Sequence, residues 1–463
     1  MEGWRIDLNN YNGIKDFKID IPDSVKLIID VLEKNGYEAF AVGGCVRDTI
    51  LNRKPQDWDI TTSALPTQVK ELFNRTIDTG IEHGTVTVMM KRVGYEVTTY
   101  RIDGEYNDSR HPDSVEFTVN LIEDLKRRDF TINAMAYNPN VGLVDAFGGI
   151  DDIKHKVIRC VGQAEERFTE DALRILRAVR FSAQLGFDIE EDTMLAIKKL
   201  ASTLEKISAE RIHVELEKLI LSSHPDKLIT AYNAGITRIV LPEFDRIMEC
   251  QQNTPYHMYN VGEHTIKVME NVPATKEMRW AALLHDMGKP DSLTYDKKIP
   301  EKTHFYGHAH MGAKMVSPIL RRLRLDNKTI KTVTRLVECH DDRPVSDGRT
   351  PKKVRESVNK IGKDIYPMYL QLTYGDFQGK SLYGKEKGFD DYLYVKEQFE
   401  YIMDNNICTS VAELNISGGD LINAGCQKGE IIGKILNNLL SKVIDNPDLN
   451  KKDTLLDIAK TMF

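Results

Sequence analysis

Asp57 and Asp59 lie one residue apart, shortly after the run Gly43-Gly44-Cys45-Val46-Arg47-Asp48. On an extended strand, residues i and i+2 share a face. The two carboxylates are therefore expected to project together, with Trp58 and Ile60 turned to the core. Adjacent carboxylates repel unless a divalent cation sits between them. An all-oxygen pair suits Mg2+, which leaves room for substrate phosphates. A Gly-Gly turn ahead of a helix offers free backbone N–H groups to phosphate, and Arg47 can add a charge-assisted bond. Glu96, on the strand-like run Tyr95–Arg101, is a candidate third carboxylate.

A second set joins His264, His285-Asp286 and Asp376 with His308 and His340. Imidazole with carboxylate favours a divalent transition metal such as Mn, Ni, Co or Fe, with Mg2+ the oxygen-preferring alternative. His285 and Asp286 diverge by about 100° on a helix. They can share one ion only near a helix end, or with other ligands approaching from separate helices. His310, two residues from His308, competes with it for the same role. A third set is basic: Arg321, Arg322, Arg324 and Lys328, continued by Lys331 and Arg335 and opposed only by Asp326. On one helical segment these make a stripe for RNA phosphates.

The elements that must position these residues can be read from periodicity. Helical spacing of apolar residues covers 25–40, and Ala39–Val42 reads as a short buried strand running into the Gly-Gly turn. Asp57–Thr61, Gly84–Lys91, Glu96–Arg101 and Val115–Val119 read as further strands. From about residue 165 the chain turns helical, with helices expected over Asp171–Leu185, Glu191–Ser202 and Ala209–Leu221. The expected class is α+β, a head with a mixed or antiparallel sheet followed by all-α parts. Polar breaks suggest a head over 1–150, a helical neck over 151–250, a metal-binding body over 251–388 and a helical tail over 389–463.

The 463 residues, 41% hydrophobic and 29% charged, exclude a disordered or fibrous chain. No charge-free run is long and apolar enough for a membrane helix. No apolar leader opens the sequence, and the six scattered cysteines read as reduced thiols of a cytoplasmic protein. The net charge of −7 means that any RNA must be held by local basic patches.

Further motifs follow the aspartate pair in order. They are Arg127-Arg128-Asp129-Phe130-Thr131-Ile132-Asn133-Ala134, Asp145-Ala146-Phe147-Gly148-Gly149, Glu170-Asp171-x-x-Arg174-x-x-Arg177 and Ser208-Ala209-Glu210-Arg211-Ile212. Together with the Gly43–Asp59 pattern they resemble the bacterial tRNA nucleotidyltransferases and poly(A) polymerases. Ile416-Ser417-Gly418-Gly419-Asp420-Leu421 and Asn446-Pro447–Asn450 extend the likeness toward the tail of CCA-adding members. The resemblance implies addition of CCA to tRNA from CTP and ATP, by two-metal transfer at Asp57 and Asp59. It implies ribose recognition by Arg128 and Asp129 with Asn133 in the same motif, and a tail that holds the tRNA elbow.

Base reading is assigned by the same resemblance to Asp171 and Arg174. The residue types make chemical sense of it. Cytosine and adenine both present an amino donor beside a ring-nitrogen acceptor; uracil and guanine present the reverse. A carboxylate beside an Arg matches the first pair and leaves polar groups unpaired with the second. On one helix, Glu170 and Asp171 are both expected to brace Arg174, and Arg177 and Arg180 to carry a basic ridge on toward phosphates. Asp108 and Arg110, in the polar run Asp103–Pro112, resemble the loop that helps switch from C to A.

His264, His285, Asp286 and Asp376, with His308 and His340, resemble the HD phosphohydrolase superfamily, implying a metal-dependent phosphohydrolase or phosphodiesterase. No protein partner and no membrane contact are expected. Two alternatives stay open. One is a poly(A) polymerase or a partial CC- or A-adding enzyme. The other is an HD-type hydrolase of RNA ends or nucleotides with an idle head.

Overall fold

A computed structural model of the chain describes residues 18–104 and 115–462. Asp108 and Arg110 fall outside the described residues. The chain divides into two compact units, Met1–Pro242 and Glu243–Phe463.

In the first unit seven strands form one sheet: β1 (Ala39–Val42), β2 (Asp59–Thr62), β3 (Thr76–Gly80), β4 (Thr85–Met90), β5 (Val93–Thr99), β6 (Met135–Asn138) and β7 (Gly142–Asp145). Their order is β3-β4-β5-β2-β1-β6-β7, and β2 with β5 is the parallel pair in an otherwise antiparallel sheet. The mixed α+β head therefore holds. Strand β2 starts at Asp59 rather than Asp57, so Asp57 stands in the loop before the strand. Ile60 is fully buried, whereas Trp58 is half-buried. The hairpin of β6 and β7 and the edge strand β3 escaped the periodicity reading, because four or five residues carry too little alternation to show. A core of Phe40, Val42, Tyr100, Leu121, Leu125, Ala136 and Val144 fixes the strand ends that carry the carboxylates.

The helical part of this unit departs from expectation at one point. A helix spans Ala164–Glu170, the chain extends at Asp171, and a new helix spans Leu173–Leu185. A boundary drawn at residue 150 also cuts through the helix Gly149–His155. Asp145 caps that helix, its two carboxylate oxygens each accepting a backbone N–H at 2.8 Å from Gly149 and Ile150.

The second unit is almost wholly helical. Helices Val261–Glu270, Lys276–Leu284, His308–Arg322, Asn327–Cys339 and Tyr366–Gln378 carry the histidine and aspartate set on them or at their ends. The boundary expected at 388/389 falls inside the helix Leu382–Asp404. Its glycines serve packing: a Cβ on Gly388 would come within 2.6 Å of the Phe377 ring, and one on Gly384 within 2.8 Å of the Tyr256 carbonyl. The tail helices Gly418–Asn423, Glu430–Asp445 and Lys452–Lys460 close on their own core of Leu421, Leu439, Val443 and Leu455. No helix of the described residues is long and apolar enough to cross a membrane.

Candidate functional sites

The head site is built at the end of β1, the start of β2 and the middle of β5. Gly43 leaves β1 with φ +81°, a conformation L side chains rarely adopt, and the helix Gly44–Ile50 follows at once. A Cβ there would also meet the Arg128 guanidinium at 3.1 Å. Asp59 and Glu96 are register partners on the parallel pair β2 and β5, so their carboxylates stand side by side. Although Asp59 keeps an exposed surface, surrounding protein strips much of its hydration and raises its pKa. Arg128 opposes that rise; Glu96 and Asp57 add to it by like-charge repulsion. Three mutually repelling carboxylates beside one guanidinium fit a divalent cation, which would remove the repulsion.

Beneath the site lies Asp124, which sequence reasoning missed. It is fully buried, accepts from Thr61 Oγ1 at 3.1 Å, and pairs with Arg127 at 2.7 Å and Arg128 at 3.4 Å. Burial would raise its carboxyl, but the two arginines hold it below the usual range. An acidic residue three or four before Arg127-Arg128 on a short helix was the available signal.

Several residues expected to meet substrate turn out to be braced instead. Arg47 is buried, donating to Asn133 Oδ1 at 2.5 Å and Asp48 Oδ1 at 2.9 Å. Asp129 is buried as well: Oδ1 accepts from the Phe130 N–H and from Asn133, and Oδ2 accepts from Arg177 Nε and Nη2. Burial works against its charge, yet Arg177 and Asn133 hold it far below the carboxylate range. Arg180 is packed onto the Phe181 ring at 3.6 Å and paired with Glu215 at 2.8 Å. Arg177 thus ties the neck to the head through Asp129, and Arg180 ties two neck helices through Glu215. The reason is that Asp129 and Glu215, distant in sequence, lie opposite them in the fold.

The base-reading segment is also rearranged. Glu170 braces Arg174 at 2.6 Å, as expected. Asp171 does not: the break between helices turns its Oδ2 to Arg211 at 2.7 Å, and its Oδ1 accepts the Leu173 N–H. Arg174 is further fixed by the Arg167 and Arg127 carbonyls.

The second site gathers every residue expected of it. His264 Nε2 lies 3.1 Å from Asp376 Oδ1 and 3.7 Å from Asp286 Oδ2. His285 Nε2 is 3.1 Å from Asp286 Oδ2. On the other side, His308 and His340 Nε2 lie 3.4 and 3.6 Å from Asp286 Oδ1 and 3.1 Å from each other. His285 ends its helix, which resolves the angular problem with Asp286. His310 is exposed, so His308 takes the role. Two donor trios result, His264-His285-Asp286 and Asp286-His308-His340, each within 4.8 Å.

The ring tautomers follow from the hydrogen bonds. Each Nδ1 faces a backbone carbonyl: His264 to Gly379 at 3.2 Å, His285 to Ala282 at 2.7 Å, His308 to Phe305 at 2.8 Å and His340 to Val337 at 2.7 Å. A carbonyl can only accept, so each Nδ1 carries a proton, and Nε2 is the ring nitrogen that would be offered to a bound ion. His285 Nε2 is buried without a hydrogen-bond partner, and the Lys289 ammonium stands 2.7 Å from Asp286 Oδ2. Converging buried Nε2 and carboxylate atoms fit a divalent metal. Burial opposes the charge of Asp286, but His285 and Lys289 keep it well below the carboxylate range. Lys380 does the same for Asp376. Lys289, Lys380 and His257, whose ring packs on His264 with centroids 5.2 Å apart, were not foreseen. For Lys289, its place three residues after Asp286 was a usable signal.

The basic stripe is broken. The helix His308–Arg322 ends, Arg324 takes φ +61°, and a new helix starts at Asn327. Arg322 is neutralised by Glu243 through two bonds of 2.8 and 2.7 Å. Arg321 and Lys328 are exposed on separate helices.

The sheet with its carboxylate edge, followed by the helical neck, defines a nucleotidyltransferase of the poly(A) polymerase type. Residues 39–159 match the family "Poly A polymerase head domain", and 303–459 match "tRNA nucleotidyltransferase domain 2". Curated relatives narrow this. A CCA-adding enzyme of Leuconostoc mesenteroides is 36% identical over 436 residues, covering 94% of each chain. One from Ligilactobacillus salivarius is 36% identical over 449 residues, covering 96% of this chain and 98% of its own. The solved Bacillus stearothermophilus CCA-adding enzyme in complex with CTP superposes with a TM-score of 0.69 at 30% identity, covering 94% and 96% of the two chains. The chain belongs to the CCA-adding enzymes.

Proposed function

We propose that the head adds C, C and A to the 3′ end of tRNA from CTP and ATP. The observation that carries this is Asp59 and Glu96 in register on adjacent strands, with Asp57 and Arg128 beside the Gly43 turn. Asp57 and Asp59, with Glu96, would hold Mg2+. Bound there, the ion would acidify the attacking 3′-hydroxyl and offset charge on the α-phosphate. Arg128, with its Nε buried and unpartnered, would face the ribose or phosphate, while Asp129 and Asn133 hold Arg177 and Arg47 in place.

The base would be read by Asp171 and Arg174. Arg211 and the Leu173 N–H each occupy one acceptor position of Asp171, leaving lone pairs for an amino group. Glu170 and two carbonyls occupy three of the five Arg174 donors, leaving Nε–H and one Nη2 hydrogen for a ring nitrogen. A fixed acceptor beside a fixed donor accepts C and A and leaves U and G unpaired. The test is extension of a tRNA transcript lacking CCA, with Mg2+ and CTP, ATP or both. Two additions with CTP and three with both are expected; a long ladder with ATP alone would instead mean poly(A) synthesis.

The second site, in this reading, holds divalent transition metal and hydrolyses phosphate esters. Its support is the inward set of four Nε2 atoms about Asp286, with Asp376 beside His264. A bound ion would polarise a phosphate and supply hydroxide at neutral pH.

A further inference from the structure

Asp124 is a fully buried carboxylate of the head that the proposed chemistry does not use. It stands on the short helix Leu121–Lys126, whose first turn is closed by Asn120 accepting the Ile122 N–H at 2.9 Å. From there it reaches β2, where Thr61 Oγ1 donates to its Oδ2 at 3.1 Å. Thr61 follows Asp59 by two residues, so both side chains leave the same face of the strand, about 7 Å apart. Two carboxylates are thus placed along one strand face. Asp59 is exposed at its start, and Asp124 is buried against the next position.

Arg128 lies within reach of both. Val42 is the register partner of Asp59, and the Cβ position of Gly43, next after it, is 3.1 Å from Arg128 Nη1. The guanidinium therefore stands beside the start of β2, and its charge opposes the raised carboxyl of Asp59. Yet its ion pair is with Asp124, Nη2 to Oδ2 at 3.4 Å. Among the described residues, no ion pair within 4 Å joins Arg128 to Asp57, Asp59 or Glu96.

The partners of Asp124 explain this choice. Its Oδ1 is filled by Arg127, at 3.0 Å from Nε and 2.7 Å from Nη2, which leaves Oδ2 to Thr61 and Arg128. A carboxylate in a poorly hydrated place attracts a guanidinium more strongly than one at the surface. The hold is still a light one. A contact of 3.4 Å is long for a charge-assisted bond, and Arg128 Nε is buried without a partner. Arg128 is tethered away from the exposed carboxylates, yet can turn to a substrate oxygen.

We propose that Asp124 is a positioning residue that keeps Arg128 from closing on Asp59, so that Asp59 stays open to Mg2+. The proposal rests on the reading of Asp57, Asp59 and Glu96 as metal carboxylates. Without the tether, Arg128 pairs with Asp59 and the ion has to displace it.

The test is Asp124→Asn in the full chain, which keeps the shape and removes the charge. In tRNA extension with CTP, the Mg2+ concentration giving half the maximal rate should rise about tenfold, and saturating Mg2+ should recover much of the rate. In a crystal structure of the ion-free variant, Arg128 should lie within hydrogen-bond distance of Asp59. In an Arg128→Met background, followed in single turnovers, adding Asp124→Asn should leave the Mg2+ midpoint where Arg128→Met alone puts it. A brace that only stabilises the fold would lower the rate at every Mg2+ concentration without moving the midpoint. Should the unpaired Arg127 prevent folding, Asp124→Asn with Arg127→Gln carries the same expectation, because Arg128 has still lost its tether. An unmoved midpoint overturns the inference, as does an Arg128 that stays apart from Asp59 in the variant. Extension by the unsubstituted chain with every divalent ion chelated would overturn the metal reading instead.

Discussion

The chain holds two clusters of metal-donor groups made in opposite ways. The head cluster is all carboxylate, stands on and just before two paired strands, and keeps Asp57, Asp59 and Glu96 exposed. The second is mostly imidazole, stands at helix ends, and is buried apart from the cavity that reaches it. In the head, the repulsion that raises Asp59 is left for a cation and substrate phosphates to relieve. In the second site, lysines already neutralise the carboxylates. The first arrangement suits a hard ion that arrives with its nucleotide. The second suits an ion that stays.

Disabling each cluster alone separates the two. Asp57→Ala with Asp59→Ala should lower CCA addition by about 10³-fold or more, the scale of several kcal/mol of metal stabilisation. Mn2+ retained by the second site should not change. His285→Ala with Asp286→Ala should do the reverse, removing tightly held Mn2+ while tRNA extension continues. Metal analysis and a sequencing gel on both variants decide. Loss of both properties in either variant would mean that the clusters are not independent.

Next in size is the ion-pair network that couples neck to head. Asp129→Asn leaves Arg177 without its carboxylate and is expected to cost about 3–5 kcal/mol, the range for one partner removed from a buried pair. The folded pKa of Asp129 is depressed, so its contribution is complete above the unfolded value near 3.9. It fades as pH falls below that toward the folded value. Denaturant unfolding of wild type and variant should therefore differ most at neutral pH and converge in acid. A constant gap would show that lost packing, not charge, sets the cost.

Arg174→Ala tests how the head, unlike the second site, chooses a base. Losing one directional donor should cut discrimination of C and A against U by about tenfold to a hundredfold, the worth of one unpaired buried polar group. Misincorporation measured with UTP reads this directly.

How far the two clusters were legible in sequence differs for a physical reason. Asp57 and Asp59, and His285 and Asp286, are close in sequence, so type and spacing alone exposed them. The second cluster was fully recoverable because metal ligands are chemically unusual as a set. The braces were not. Asp129 to Arg177, Arg180 to Glu215 and Asp171 to Arg211 are long-range ion pairs among common surface residue types. Nothing local distinguishes them from solvated charges, and so buried arginines were read as phosphate contacts. The helix break at Asp171 was hidden in the same way, because its helical neighbours outweighed a single extended residue. Lys380 looked like one more lysine in a polar stretch until the fold set it on Asp376.

The smallest effect probes that hidden brace. Arg211 touches Asp171 at 2.7 Å and is read as acting only through it. With Arg211→Ala, Asp171 loses its outer partner and is free to swing toward Arg174, four residues' reach from Glu170's hold. The acceptor of the base-reading pair would then be lost intermittently rather than removed. The expected result is about a tenfold fall in kcat for both CTP and ATP, about 1.4 kcal/mol, with KM for tRNA unchanged. Arg211→Lys should restore part of it, since a lysine can hold the charge but not the planar geometry. A purely structural role would lower the unfolding temperature and leave nucleotide preference intact. Positioning predicts the converse, a nearly unchanged unfolding temperature with more U incorporated. The second site offers the control: its carboxylates are held by lysines three and four residues away on the chain, so no such distant substitution should loosen Mn2+ there.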